Sequence, residues 1–127
     1  YVGPNSFVGN NVLIRPYTAI GAGSVIGFGV ELKNCILFSS ARVGRLSFLG
    51  DSVVGEGVDI GSGMMTINRN VEMGRVVALI EGREVATELE KLGSFIGDGS
   101  MIGAGNCLCA GLVVAPRTVI PHHRTFP

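Results

Sequence analysis

The chain has 127 residues and carries ten basic and ten acidic side chains, so its formal net charge is zero. Without a basic excess, nucleic acid and anionic membranes are not expected as partners. No apolar run reaches the length of about 18 residues that a membrane-spanning helix needs. The three cysteines have neither disulfide-framework nor zinc spacing, which indicates reduced thiols and a cytoplasmic protein.

Apolar residues recur at every sixth position through most of the chain. This period belongs to neither a helix nor an alternating strand, and it is typical of hexapeptide β-helices, in which three hexads form one coil. We therefore predict an all-β fold, a parallel β-helix of five to six coils, in which Val2 stacks on Ile20 and Val8 on Ile26. The predicted inward residues are Val2, Val8, Ile14, Ile20, Ile26, Leu32, Phe38, Val54, Ile60, Ile96, Ile102, Leu108, Val114 and Ile120.

The six-residue frame slips once in the first half of the chain. Leu32 and Val54 are 22 positions apart, which is not a multiple of six. We predict that an irregular coil over residues 37–53 absorbs this slip, after which the regular frame resumes.

The repeat pattern is lost a second time before Ile96 restores it. Residues 69–94 are predicted to leave the coil as an excursion, within which Glu81-Gly82 separates two apolar segments in the manner of a β-hairpin turn. The predicted organisation is one β-helix domain over residues 1–120, followed by a non-repeat tail over residues 121–127.

The usual cofactor and metal signatures are missing from the sequence. The recurring Gly-x-Gly pairs lack the third glycine of a dinucleotide fingerprint and are interpreted as repeat glycines. His122 and His123 are adjacent and point apart in an extended chain, so no metal site is predicted. A solvated tail and a catalytic role across a subunit interface both stay open for these histidines.

Five segments carry a more specific pattern, namely residues 14–16 (Ile-Arg-Pro), 30–34 (Val-Glu-Leu-Lys-Asn), 44–51 (Gly-Arg-Leu-Ser-Phe-Leu-Gly-Asp), 58–63 (Val-Asp-Ile-Gly-Ser-Gly) and 66–68 (Thr-Ile-Asn). In this order they resemble the C-terminal acetyltransferase domain of a bifunctional enzyme. That enzyme joins a glucosamine-1-phosphate N-acetyltransferase to an N-acetylglucosamine-1-phosphate uridyltransferase. The excursion is most similar to that of the archaeal-type sugar-1-phosphate nucleotidylyltransferases.

This resemblance implies a left-handed β-helix, although crossover connections are usually right-handed. It also implies a homotrimer, acetyl-CoA as the acetyl donor without need of a metal, and a sugar phosphate or nucleotide sugar as the ligand. A nucleotidylyltransferase domain is expected to precede Tyr1.

The resemblance assigns roles to individual residues as well. Arg15 and Lys33 match positions that hold the sugar phosphate, for which a guanidinium and an ammonium group are suited. Considered without the resemblance, Arg15 and Lys33 are alternatively solvated corner charges, and Asn68 alternatively turns the chain out of the coil. Three further residues match positions in the family's sugar pocket: Phe48, where the family has Tyr, Asp59, where it has Asn, and Asn68. Ser62 and Ala104 match small residues that line the acetyl-CoA groove.

Arg45 is the main departure from the family pattern. The family has a histidine there that acts as general base on the sugar amine, a role that an imidazole can fill and a guanidinium cannot. Asp51, Asp59 and Glu31 lie in the same motifs as alternative bases. An ion pair between Arg45 and Asp59 would instead make this position structural.

Two functions follow from these observations. The first is acetyl transfer from acetyl-CoA to an amino sugar phosphate of the glucosamine-1-phosphate type, supported by the retained Arg15, Lys33 and Asn68. The second is a non-catalytic trimerisation or ligand-sensing domain of a sugar-1-phosphate nucleotidylyltransferase, supported by the departures from the family pattern.

Overall fold

A computed structural model describes the backbone of residues 1–123 and 125–126 as a β-solenoid of about six turns. The described residues contain no helix. The strands of the coils are only two or three residues long, because a corner follows each flat face. In chain order the strands are β1 Phe7–Val8, β2 Leu13–Ile14, β3 Ala19–Ile20, β4 Val25–Ile26, β5 Glu31–Lys33, β6 Ile36–Leu37, β7 Arg42–Val43, β8 Phe48–Gly50, β9 Val53–Val54, β10 Asp59–Ile60, β11 Met65–Thr66, β12 Val77–Ile80, β13 Arg83–Ala86, β14 Phe95–Ile96, β15 Met101–Ile102, β16 Cys107–Leu108, β17 Val113–Val114, β18 Val119–Ile120 and β19 Thr125–Phe126.

Three parallel sheets form the walls of the solenoid. The first sheet has the order β1-β4-β7-β10-β15-β18, the second β2-β5-β8-β11-β16-β19 and the third β3-β6-β9-β14-β17. Val2 bridges to Ile20 and Val8 pairs with Ile26, which confirms the predicted stacking. The all-β solenoid with parallel stacked sheets is thus the fold that the six-residue period predicted.

The core is a column of apolar side chains that point inward from each strand. Ile20, Leu37 and Val54 stack along the third sheet and are at most 2% exposed. Val8 and Ile14 of the first turn remain 38% and 37% exposed, because the structure places no further turn beneath them. The hydrophobic column is therefore closed along its length and open at its first turn.

The frame slip takes the form of two short corners. The steps from Leu32 to Leu37 and from Leu49 to Val54 are five residues instead of six, so coils in this part repeat after 17 residues. The prediction that Phe38 points inward is wrong. The first short step moves the inward position back by one residue, to Leu37, and leaves Phe38 53% exposed.

Two of the corners between the sheets carry polar residues. The Arg45 corner joins the first and second sheets and comprises residues 9–12, 27–30, 44–47, 61–64 and 103–106. The Asp51 corner joins the second and third sheets and comprises residues 15–18, 33–35, 50–52 and 109–112. Both five-residue steps lie at the Asp51 corner.

The excursion leaves the coil after β11 and returns at β14. It contains the predicted hairpin, since β12 and β13 pair antiparallel and Glu81 and Gly82 both have positive φ, as a tight two-residue turn requires. The base of the hairpin packs on the coil, where Val76 is fully buried and lies against Gly111.

The chain after the last complete hexad continues the second sheet, because the backbone of β19 pairs with β16. Arg124 and Pro127 of the predicted tail lie outside the described residues. All three cysteines are free; Cys35 is buried, and burial raises the pKa of its thiol. Within the described part of the chain, no helix is long and apolar enough to cross a membrane.

The point at which the excursion rejoins the coil leaves no room for a side chain. A Cβ on Gly93 would overlap the Ser52 hydroxyl and the Gly50 carbonyl oxygen. We expect Gly93→Ala to lower the free energy of unfolding by about 1–3 kcal/mol, because the packed backbone must move. Urea denaturation measures this difference. The control Gly74→Ala, with no other atom within 4 Å of the new Cβ, should change it by less than about 0.5 kcal/mol; equal effects would contradict the tight closure.

Candidate functional site

The carboxylate of Asp51 is the centre of a polar cluster at the Asp51 corner. Lys33 Nζ lies 2.9 Å from Oδ2 and 3.2 Å from Oδ1 of Asp51. Asn34 Nδ2 donates to Oδ1 at 2.9 Å, and Asn68 Nδ2 donates to Oδ2 at 2.8 Å. We call these four residues the Asp51 cluster. Two of them, Lys33 and Asn68, are predicted site residues that the structure brings together on one carboxylate.

The short corners explain why these side chains converge. Lys33 and Asn34 lie in the first five-residue step and Asp51 in the second, and Asn34 and Asp51 both have positive φ. Asn and Asp tolerate this left-handed conformation better than most residues. The same backbone turn therefore recurs on successive coils and stacks the two polar side chains.

The Asp51 cluster also closes the excursion. Asn68 lies where the excursion departs, and its carbonyl accepts the Leu92 N–H at 2.9 Å. The Gly93 N–H donates to the Asp51 carbonyl at 2.8 Å. Asn68 thus both binds Asp51 and turns the chain out of the coil, which is the structural alternative that its sequence position allowed.

The electrostatics of the cluster favour an ionised Asp51. Partial burial raises the pKa of Asp51, but hydrogen bonds from Asn34, Lys33 and Asn68 outweigh that effect, so the net pKa lies below its ordinary value. The side chain is 7% exposed, and four donor contacts occupy its oxygens. Asp51 is therefore a poor candidate for the general base.

The other phosphate-binding candidate, Arg15, lies one coil before Lys33 and is also paired. Arg15 Nη1 lies 3.2 Å from Glu31 Oε1, and both side chains are more than a third exposed. Glu31 is consequently engaged as well, which leaves it less suited to act as a base. Phe48, opposite Glu31 in the sheet, packs its ring over Gly50 and lies between the two polar corners.

Arg45 lines a separate cleft of about 270 Å³ at the other polar corner. We call this the Arg45 cleft and define it by Phe28, Arg42, Arg45, Asp59 and Ser62. Three predicted site residues, Arg45, Asp59 and Ser62, therefore share one cleft. No ion pair joins Arg45 to Asp59 among the residues that the structure describes.

Ser62 and Ala104 occupy equivalent positions on successive coils of the Arg45 corner. A Cβ on Gly61 would come within 2.5 Å of the Ala104 amide nitrogen, so glycine is needed for the coils to approach. The Gly105 N–H donates to the Ser62 carbonyl at 2.9 Å. The two small residues predicted to line the acetyl-CoA groove thus form a continuous, closely packed strip.

His122 ends this strip and is held by it. The Ala104 N–H lies 2.8 Å from His122 Nδ1, which must therefore accept the hydrogen bond. In a neutral imidazole that accepts at Nδ1, the proton sits on Nε2. This hydrogen bond anchors the chain after β18 to the strip.

Sequence reasoning missed several residues of these two groups. The family motifs include Asn34 but assign it no role, and Phe28 and Arg42 lie outside those motifs. Their signal is the 17-residue register, which places Arg42 beside Asp59 and Phe28 beside Arg45. That register becomes readable only once both short corners are located.

The family can be stated from comparison with known proteins. The profile of the GMPPB C-terminal domain family matches residues 1–125. This chain belongs to that family. The match, together with the relatives described next, confirms the resemblance predicted from the five motifs.

Three curated relatives are similar at about one residue in three. A bifunctional sugar-1-phosphate nucleotidylyltransferase/acetyltransferase of Sulfurisphaera tokodaii is 31% identical, over 88% of this chain and 26% of its own length. The bifunctional protein GlmU of Methanococcus maripaludis is 30% identical, over 84% of this chain and 26% of its own length. GlmU of Carboxydothermus hydrogenoformans is 33% identical, over 84% of this chain and 24% of its own length. The chain thus spans about a quarter of the length of these relatives.

The solved structures that match the chain are more distant in sequence. The acetyltransferase domain of PglB from Neisseria gonorrhoeae covers 98% of this chain and 49% of its own, with 15% identity and a TM-score of 0.40. The H141N mutant of perosamine N-acetyltransferase from Caulobacter crescentus, in complex with CoA and GDP-perosamine, covers 98% of this chain and 52% of its own. It has 21% identity and a TM-score of 0.31.

The Asp51 cluster generates a pH-dependent stability prediction. Because the pKa of Asp51 is lower in the folded chain than in the unfolded one, its contribution is complete above about pH 4 and is lost as the pH falls through the folded-state pKa. We expect Asp51→Asn to lower the free energy of unfolding by about 1–3 kcal/mol at pH 7, and by less near pH 3.

Urea denaturation at the two pH values measures this effect. The control Glu31→Gln removes an exposed ion pair and should cost less than about 1 kcal/mol at either pH. A pH-independent loss in Asp51→Asn would show that the carboxylate charge is not what holds the cluster.

Proposed function

We propose that this domain transfers an acetyl group from acetyl-CoA to the amine of a phosphorylated amino sugar. The observation that carries the proposal is the Arg45 cleft, which holds three predicted site residues, Arg45, Asp59 and Ser62, beside the strip that continues to Ala104. In the reaction the amine nitrogen attacks the thioester carbonyl carbon, the carbon–sulfur bond breaks, and the amine loses a proton as CoA leaves as a thiol. Membership of the family and the names of its relatives support this chemistry.

The proton acceptor is the weak part of this machinery. Arg45 cannot accept a proton at neutral pH, Asp51 is saturated with donors, and Glu31 is paired with Arg15. Asp59 is the remaining carboxylate at the cleft, and no hydrogen bond or ion pair engages it among the described residues. Carboxylates are ordinarily weaker bases than imidazole, and loss of a well-matched base costs about 10²–10⁴ in rate. The transfer should therefore be slow.

A second candidate function is a non-catalytic, ligand-sensing or trimerising domain. The observation that favours it is charge compensation: Lys33 is bound by Asp51 and Arg15 by Glu31, so both cations expected to hold the phosphate are already paired. Under either function we propose that the chain is one part of a longer cytoplasmic sugar-1-phosphate nucleotidylyltransferase, and that it needs no metal for acetyl transfer.

Substitution of Arg45 tests the two functions against each other. At saturating glucosamine-1-phosphate we expect Arg45→His to increase CoA thiol release from acetyl-CoA by at least about tenfold, because it supplies a base near neutral pH. The gained rate should rise with pH through about 6.5, the ordinary pKa of histidine. Arg45→Gln is the control, since it removes the charge without adding a base.

Thermal melting with acetyl-CoA completes this test, since a ligand that binds the native state raises the midpoint. No shift at millimolar acetyl-CoA would rule out the acetyltransferase. A shift without any gain of rate in Arg45→His would favour the non-catalytic domain.

We propose a homotrimer that assembles through the outer face of the third sheet. That face is apolar and includes Ile36, Phe38, Phe95 and Val113, each more than a third exposed. Light scattering should give the mass of three chains, and Phe95→Glu should reduce it to that of one chain. The control Val119→Glu places the same charge on the first sheet and should leave the mass unchanged. A monomer mass for the unsubstituted chain would reject the trimer.

A further inference from the structure

Two arginines, Arg42 and Arg45, line the Arg45 cleft. Arg42 and Arg45 make no ion pair or side-chain hydrogen bond within the described part of the chain, whereas Arg15, Lys33 and Arg75 each pair with a carboxylate there. Both guanidinium groups line the same cleft of about 270 Å³. Two unpaired guanidinium groups in one concave site are the donors that a phosphate group prefers.

The register of the coils fixes the positions of these side chains. Arg42 on β7 is the direct neighbour of Asp59 on β10 in the first sheet. Arg45 follows three residues later at the corner, between Phe28 on the preceding coil and Ser62 on the next. A Cβ on Gly27 would come within 2.8 Å of the Arg45 amide nitrogen, and one on Gly44 within 2.5 Å of the Ser62 amide nitrogen. Gly27 and Gly44 therefore line the cleft with exposed backbone.

The side chains around the two arginines suit a ligand that carries both a negative and a positive charge. Asp59 adds a carboxylate at one side of the cleft, which would repel a phosphate unless the ligand also carries a positive charge. Phe28 is 49% exposed and offers an apolar ring face, and Ser62 adds a hydroxyl group. A phosphate, an ammonium group and the apolar face of a pyranose match these elements one by one.

We propose that the Arg45 cleft is the binding site of a phosphorylated amino sugar, with Arg42 and Arg45 on the phosphate and Asp59 on the ammonium group. This inference rests on the substrate class of the proposed function, but it does not depend on acetyl transfer. It places the anionic group at the Arg45 corner, away from Arg15 and Lys33, whose charges Glu31 and Asp51 already compensate. In this inference Arg45, which replaces the family's catalytic histidine, binds the phosphate.

Titration calorimetry with glucosamine-1-phosphate tests the inference. The double variant Arg42→Gln/Arg45→Gln should bind it at least about tenfold more weakly, because each lost charge-assisted hydrogen bond contributes substantially to affinity. The control Arg83→Gln/Arg117→Gln removes two exposed arginines, one on the hairpin and one between β17 and β18, and it should bind as the unsubstituted chain does. Unchanged thermal melting in the absence of ligand verifies that both double variants fold.

Asp59 provides an independent readout. The unsubstituted chain should bind glucosamine-1-phosphate more tightly than glucose-1-phosphate, and Asp59→Asn should abolish this preference while strengthening binding of glucose-1-phosphate. A preference that survives in Asp59→Asn would overturn the assignment of the ammonium group.

The outcomes separate this inference from the proposed function. Binding that is lost in Arg15→Gln/Lys33→Gln but retained in Arg42→Gln/Arg45→Gln would overturn the inference and leave acetyl transfer standing. Binding lost with Arg42 and Arg45, in a chain that transfers no acetyl group, would support the inference and reject the enzyme. Absence of any binding of glucosamine-1-phosphate at millimolar concentration would overturn the inference.

Discussion

The carboxylate of Asp51 joins every irregular part of the solenoid. Lys33 and Asn34 reach it from the first short corner, Asp51 itself stands in the second, and Asn68 reaches it from the start of the excursion. A largely buried carboxylate is costly unless charged and polar donors satisfy it. Asp51 therefore needs its three donors, and the two short steps bring Lys33 and Asn34 within reach of it. The backbone of Asp51 also receives the returning excursion at Gly93. Where the regular column is interrupted, this single group determines how the interruption is closed.

The same interaction has a consequence for ligand binding. Lys33 already donates to both oxygens of Asp51, so a phosphate there would have to compete, at a cost, with that carboxylate for the one ammonium group. At the Arg45 corner no such cost arises, since Arg42 and Arg45 have no carboxylate to release among the described residues. One polar corner of the solenoid is therefore electrostatically closed, and the other is open to an anionic ligand. This asymmetry is what distinguishes the chain from the arrangement that its family resemblance implies.

Much of the fold could be predicted from the sequence because hexads act locally: an inward apolar residue and a small corner residue define each face without long-range information. The hairpin was predicted for the same reason, since Glu81-Gly82 fits a tight turn. Phe38 was placed wrongly because a single missing residue before it shifts every later side chain, and two such deletions look like one long gap. The site was harder to predict, because only the 17-residue register places Arg42 beside Asp59 in the sheet and brings Asn34 onto the Asp51 carboxylate. Motifs identify single residues, but they do not show which charged residues pair with each other in the fold.

Binding of the anionic ligand at the Arg45 corner should leave the Asp51 cluster intact. A crystal structure of the chain with glucosamine-1-phosphate tests it most directly. The predicted result has phosphate oxygens within about 3 Å of the guanidinium groups of Arg42 and Arg45, with the Lys33–Asp51 ion pair unbroken. Phosphate bound to Arg15 and Lys33, with Lys33 released from Asp51, would contradict the claim.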